Sequence, residues 1–338
     1  MTKRAALLLA TFVALAALPG SASADVNWDR VDLDAERAAI ERFQAFDQRL
    51  QDVGWKFVRG NAAFCDNVIP SIGLQLQDLA SYGSPEVARR ALSMQGDFAV
   101  QTAARGSPAA RVEAFPANRE IATITGINPN RWEAGERLYW QRLVRTHDLI
   151  DARLAEQGSV EFSFAGGGAV LLYPVNVCAT RFELMGEGKR AVATGDRVVI
   201  GIDFPGFAYP EEVFAGVVAH ELAHNLLGHS AWLDRNGRGR RNVRRTEREA
   251  DRLMPWLFAN AGYDPIYAQR FMETWGPRHD GGLLRNRSHD GWDERAEFIA
   301  AEIPKIRALM ESEGAADWSR HFERGIDPNL GLDAADAD

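Results

Sequence analysis

The sequence predicts an α+β protein in which a β-rich middle is followed by a mainly helical second half. Short apolar stretches alternate with turn residues from Phe98 to Asn128, which is typical of strands. From Glu211 onward, apolar residues return at the spacing of a helix. The chain has 338 residues, 46% hydrophobic and 25% charged, and can therefore bury a sizeable core.

Individual elements follow from periodicity and from the residues that start or stop them. Helices are predicted from Leu33 to Leu50, from Glu211 to Gly228, from Thr246 to Ala261 and from Trp292 to Glu311, the last interrupted at Pro304. Strands are predicted from Val160 to Phe164, from Ala169 to Tyr173 and from Arg197 to Ile202. We expect a looser region from Gly54 to Pro70 and a flexible, arginine-rich loop from Asp234 to Arg245.

The first 24 residues have the features of a secretory signal peptide. Lys3 and Arg4 precede an apolar run from Ala5 to Leu18, and Ala22-Ser23-Ala24 offers small residues for cleavage. The run is short for a membrane span of about 20 residues, so cleavage is favoured over an uncleaved anchor. The sequence therefore predicts an exported, periplasmic or secreted protein without stable membrane insertion.

Export would place the two cysteines in an oxidising compartment. A disulfide between Cys65 and Cys178 is expected there, with two buried free thiols as the alternative. The net charge of −8 argues against nucleic acid as a partner, because nucleic-acid binders usually carry a basic balance.

The segment His220-Glu221-Leu222-Ala223-His224 matches the HExxH pattern. Residues four apart share one face of a helix, so both imidazoles can point at one metal ion. Glu221 can then reach a water beside that ion and take its proton, as in zinc peptidases. The alternative is a pair of core or surface histidines, since a five-residue pattern also arises by chance.

A catalytic zinc needs a third protein ligand and an open fourth position. A longer pattern, with glycine seven and histidine ten positions after the first histidine, does not fit because Leu227 and Ser230 stand there. Glu247 lies 247 − 224 = 23 positions beyond the second histidine and can return on the next helix as a ligand. Asp251 shares its face and can accept the ring N–H of a ligand histidine, whereas Glu249 points elsewhere. A solvated helix start is the alternative for this segment.

The three motifs together resemble a known family. HELAH, the ExEAD at Glu247–Asp251 and the later Ala261-Gly262-Tyr263-Asp264-Pro265 are similar to the HtpX-like, CAAX-prenyl-endopeptidase-type zinc metallopeptidases, which are gluzincins. The resemblance runs from Gly186 to Leu309 and includes HELAHNLLGH, which ends at His229.

The resemblance implies a mainly helical zincin (gluzincin) catalytic domain with a small edge sheet. It implies one Zn²⁺ per chain, with Glu221 as general base, Asp251 supporting a ligand, and the ligands His220, His224 and Glu247. The strand from Arg197 to Ile202 is expected to be the edge strand that aligns the substrate backbone.

The family also carries a serine-histidine-proline element and an arginine before its last helix. Ser288-His289-Asp290 and Arg295 resemble it, with Asp290 in place of the proline. The resemblance implies that His289 stabilises the oxyanion or caps the zinc, and that Arg295 holds neighbouring carboxylates or substrate. An exposed loop histidine is the alternative for His289.

A second resemblance covers Phe98 to Ile127, which is similar to a bacterial PDZ domain. Gly106 to Ala110 matches the GSPA turn of that fold, while Asn118-Arg119 replaces its glycine-aspartate pair. It implies an inserted β-rich module that binds extended peptide ends by adding a strand to a sheet edge. An irregular β subdomain without a binding role is the alternative.

These patterns divide the chain into five parts. They are a signal peptide (1–24), an N-terminal helical part of the catalytic fold (25–85), a PDZ-like insertion (86–185), a zinc metallopeptidase domain (186–315) and a C-terminal tail (316–338). The implied function is hydrolysis of exported, unfolded or misfolded polypeptides. Two rivals are a catalytically silent zinc-site chaperone or adaptor and a zinc hydrolase of non-protein amides such as cell-wall peptides.

Overall fold

The computed structural model describes residues 26–279 and 290–330, and these residues form an α+β fold as predicted. The predicted signal peptide and His289 lie outside the described residues. The helices are α1 (Leu33–Gly60), α2 (Pro85–Leu92), α3 (Gln141–Gln157), α4 (Glu211–Leu226), α5 (His229–Asn236), α6 (Arg240–Asn260), α7 (Ile266–His279), α8 (Trp292–Glu313) and α9 (Trp318–His321). Within the described ranges, none of them combines the length and the apolar character that a bilayer span requires.

The strands form four small sheets in the described part of the chain. They are β1 (Val68–Ser71), β2 (Leu74–Asp78), β3 (Phe98–Ala103), β4 (Ile121–Ile124), β5 (Val160–Phe164), β6 (Ala169–Leu172), β7 (Val175–Cys178), β8 (Arg181–Met185), β9 (Ala191–Ala193) and β10 (Arg197–Gly201). The strands predicted at Val160 and Ala169 are confirmed as β5 and β6, which pair antiparallel.

Helix α1 extends to Gly60, so the looser region predicted from Gly54 is wrong in its first part. Its second half is held by tertiary packing, because Leu50, Val53 and Phe57 are buried in the main core. Only glycine fits at position 54, because a Cβ there would lie 2.3 Å from the ring of Phe182. A glycine that weakens the isolated helix thus permits close packing.

The arginine-rich segment is helical except at residues 237–239, so the loop predicted from Asp234 to Arg245 is wrong over most of its length. Gly228, with φ of 66°, turns the chain from α4 into α5, and Gly237, with φ of 88°, ends α5. Helix α6 then starts at Arg240, before the predicted start at Thr246. Arginine is a good helix former, so the segment is helical on either side of the turn at Gly237.

Helix α8 runs through Pro304 without the predicted interruption. Proline removes one helical hydrogen bond, but Ile299, Ile303 and Ile306 are buried and keep the helix packed. After α8 the chain remains packed, because Trp318 and Ile326 are buried as well.

A second core, apart from the main one, lies in the β-rich middle. Its buried residues come from the stretch between Ile72 and Leu172, and strand β2 belongs to it. Strand β2 pairs antiparallel with β3, and β5 lies between β4 and β6 in the neighbouring sheet. The PDZ-like identity of this module stays a prediction.

Strands β1 and β7 join the two ends of the module. They pair antiparallel from Val68 with Cys178 to Ser71 with Val175. The predicted disulfide is present, and it links Cys65 to Cys178 across 113 positions with the Cα atoms 5.6 Å apart. The bond therefore closes the base of the β-rich module.

The sheet beside α4 corrects the prediction of an edge strand. Strand β10 lies in the middle of this sheet, parallel to β8 and antiparallel to β9. The edge position beside α4 belongs to β9, which has three residues and is followed by Gly195 with φ of 108°. A strand this short shows no period in the sequence, which is why it was not predicted.

Candidate metal centre

Helix α4 presents His220 and His224 side by side. Its opposite side is anchored in the main core by Val218 and Leu222, which are fully buried. Glu211 and Glu212 in its first turn complement the helix dipole. Helix α6 packs across α4 and brings Glu247 to the two histidines.

The three predicted ligands lie together. The Nε2 atom of His220 is 3.2 Å from Nε2 of His224 and 3.2 Å from Oε2 of Glu247, and Nε2 of His224 is 3.5 Å from Oε1 of Glu247. Ligand atoms at about 2.0–2.2 Å from a tetrahedral ion are about 3.3–3.6 Å apart. These spacings match, so the group can hold a metal ion with three protein ligands.

Asp251 and Arg295 support the first ligand. Nδ1 of His220 lies 3.1 Å from Oδ1 of Asp251, within ion-pair distance. Arg295 donates to both oxygens of Asp251, at 2.7 and 2.8 Å, and its Nη2 lies 4.0 Å from Glu247. Arg295 thus holds the carboxylates around the ligands.

The pKa values show where this group carries positive charge. Burial alone would lower the pKa of His220, but the hydrogen bonds and charges of Asp251 and Glu247 raise it to about 10. Burial lowers the pKa of His224 to about 3. The surroundings therefore favour one positive charge among the ligand nitrogens, and a divalent ion would compete with that proton.

Glu221 lies beside this group without being one of its three ligand residues. Burial raises the pKa of its carboxyl, and the backbone N–H of Ala193 in β9, which faces the carboxylate, offsets part of that rise. The sheet edge and the candidate base are therefore in direct contact.

Sequence reasoning missed three residues behind His224. His229 lies with Nδ1 2.9 Å from Nδ1 of His224, and its Nε2 is 2.9 Å from Oε2 of Glu249. Arg324 donates to the same oxygen of Glu249 at 2.8 Å. Burial alone would raise the pKa of Glu249, but the hydrogen bonds from His229 and Arg324 lower it to about 2.

Some sequence signals for these residues exist. His229 follows the second ligand by 229 − 224 = 5 positions, and Glu249 was predicted to point away from the metal. It does so, and it faces His229 instead. Arg324 lies in the predicted tail, where no local pattern marks it.

Comparisons with protein-family models, with curated proteins and with solved structures found no match. The resemblance to HtpX-like peptidases therefore stays a prediction that depends on the motifs alone.

Proposed function

We propose that this protein is a zinc-dependent endopeptidase that acts on exported polypeptides. The observation that carries the proposal is the convergence of two imidazoles from α4 and one carboxylate from α6, with Glu221 beside them. Two histidines and one glutamate are a common donor set of catalytic zinc. Zinc, when bound, would supply Lewis acidity for water activation and carbonyl polarisation.

Glu221 serves as the proton carrier in this proposal. Its pKa is raised towards neutral pH, so the carboxylate can take a proton from water and give it to the leaving amine. The backbone N–H of Ala193 faces this carboxylate and favours its ionised form.

Strand β9 is the proposed alignment edge for the substrate. It pairs with β10 on one side only, and Val192 on it is exposed. An extended polypeptide can add to such an edge through main-chain hydrogen bonds, which do not depend on its sequence. This supports polypeptides as substrates.

The decisive experiment compares the zinc-loaded wild-type protein with Glu221→Gln on unfolded casein. We expect Glu221→Gln to bind zinc and to lose about 10²–10⁴-fold in turnover, the usual contribution of a general base. Glu212→Gln, on the same helix but in its first turn, is the matched control and should keep its activity.

A wild-type protein that binds no divalent metal would overturn the proposal, and so would full casein hydrolysis by Glu221→Gln. Zinc binding without casein hydrolysis would favour the silent adaptor, and cleavage of peptidoglycan fragments alone would favour the cell-wall hydrolase.

A further inference from the structure

We propose that His229 and Glu249 are positioning residues, which fix the tautomer and the ring orientation of the ligand His224. We further propose that the segment from Arg324 to Ile326 holds Glu249 in place for this purpose. This inference rests on the proposed metal site and deepens it.

The hydrogen-bond geometry permits one arrangement of protons when a metal is bound. Nε2 of His224 faces His220 and Glu247, so it is the nitrogen that would bind the ion and must carry no proton. The proton of a neutral His224 ring then sits on Nδ1, which is 2.9 Å from Nδ1 of His229. His229 must therefore accept at Nδ1.

The same reasoning continues to Glu249. A neutral His229 that accepts at Nδ1 carries its own proton on Nε2, which lies 2.9 Å from Oε2 of Glu249. An ionised carboxylate only accepts, so the direction of the chain is fixed at this end. The resulting order is His224 N–H to His229, and His229 N–H to Glu249.

Glu249 is held by more donors than a surface carboxylate would meet. Arg324 donates to its Oε2 at 2.8 Å, and the backbone N–H groups of Gly325 and Ile326 donate to its Oε1 at 2.8 and 3.1 Å. The same Arg324 nitrogen also donates to the carbonyl of Leu227, directly after α4. His229 and Glu249 are only 1% and 2% exposed. A hydrogen-bond partner at every side-chain polar atom offsets the cost of burying them.

The two histidine ligands therefore receive different support. His220 faces a carboxylate directly, whereas His224 faces a neutral imidazole that is backed by a carboxylate. The support of His224 also depends on residues 324 − 249 = 75 positions further along the chain. A substitution at Arg324 should consequently change the metal affinity.

The test is metal affinity, measured by competition with a chelator for Zn²⁺ and by the absorption spectrum of the Co²⁺ form. We expect His229→Ala to lose about 10- to 100-fold in metal affinity, the usual effect of removing such a partner. His229→Gln should recover most of it, since its amide can accept from His224 and donate to Glu249. Arg324→Gln should show a smaller loss, because two backbone donors to Glu249 remain.

His321→Ala is the matched control, because this histidine pairs with Glu313 away from the ligands. It should leave the affinity and the Co²⁺ spectrum unchanged. If His229→Ala does not fold, the Gln and Arg324 variants carry the test by the same two measurements.

The outcomes separate this inference from the proposed function. Wild-type protein without metal affinity would overturn both. Wild-type affinity and an unchanged Co²⁺ spectrum in the His229 and Arg324 variants would overturn the positioning role alone. A lower melting temperature of the metal-free variants with unchanged affinity would also overturn it, since that is the result of a purely structural role.

Discussion

At the scale of single residues, the neighbours of each buried carboxylate decide its charge. Burial raises the pKa of Glu221, which suits a group that takes and returns a proton. Burial would do the same to Asp251, but the charge of Arg295 and the hydrogen bonds from Arg295 and His220 lower its pKa. The pKa values of two carboxyl groups around one site are thus shifted in opposite directions, as the proposed roles of Glu221 as proton carrier and Asp251 as permanent anion require.

Asp47 on α1 offers a test of such a shift away from the metal centre. Burial raises its pKa to about 6 from 3.8, although Gln51 and Gln101 donate to it. The folded state therefore binds this proton more tightly than the unfolded state, and the stability it contributes is lost as the pH rises from 4 through about 6.

Asp47→Asn should remove this dependence. We expect its free energy of unfolding, relative to wild type, to increase by up to about 3 kcal/mol between pH 4 and pH 7. Urea unfolding of both proteins across this range measures the difference. Glu41→Gln changes an exposed carboxyl on the same helix and should give a nearly constant difference. A constant difference for Asp47→Asn too would contradict the assignment.

The metal ligands and the supporting Asp251 were predicted from residues related by one helical turn, whereas Arg295 was predicted from the resemblance alone. His220 and His224 share a face of α4, and Glu247 and Asp251 share a face of α6, so their spacing alone predicts the pairs. The contact of His229 with Glu249 joins two helices, and the contact with Arg324 joins a third segment. Spacing along the chain carries no information on such contacts.

At the scale of elements, the start of α6 goes against the helix dipole. Its first turn contains no acidic residue, and Gly239 before it offers no side-chain cap. Arginines line an open surface groove here, namely Arg240, Arg241, Arg244, Arg245 and Arg248. Cations near a helix N-terminus and like charges four positions apart both destabilise a helix.

Arg241→Glu should therefore stabilise the protein. The new carboxylate complements the dipole and lies four positions before Arg245, so we expect a gain of about 1 kcal/mol in the free energy of unfolding at low salt. The gain should shrink at high salt because both effects are screened. Thermal unfolding at two salt concentrations measures it.

Arg137→Glu is the control for this change, because Arg137 is exposed and lies outside the helices. A carboxylate at position 137 has no helix dipole to complement, so Arg137→Glu should change the free energy of unfolding little. A loss of stability in Arg241→Glu would show that the arginine makes contacts that outweigh the dipole.

Tertiary packing sets the element boundaries that the sequence missed. The sequence predicted the starts of α1, α4 and α8, but the end of α1 and the continuity of α8 depend on partners elsewhere. Gly54 and Pro304 both predict a break, and buried neighbours hold the helix together at each of them. Local propensity is a weak signal wherever such packing is available.

At the scale of the whole molecule, the β-rich module and the main core meet along a polar surface of α1. Gln44 and Asp47 on this helix bond to Gln101 in β3, and these side chains are buried. The disulfide between Cys65 and Cys178 adds a covalent link at the base of the module. All three candidate ligands lie after Cys178 in the chain, outside the loop that the bond closes.

Removing the disulfide should therefore affect stability and leave the metal centre intact. A cross-link that closes a loop of 113 positions restricts the unfolded chain, and its loss should cost about 5 kcal/mol in the free energy of unfolding. The double variant Cys65→Ala with Cys178→Ala, compared with wild type by urea unfolding, measures this cost. Zinc affinity at a temperature where both proteins are folded should be equal, because α4 and α6 supply every ligand. A variant that is folded but has lost zinc affinity would show that the module and the metal centre are coupled more tightly than this arrangement implies.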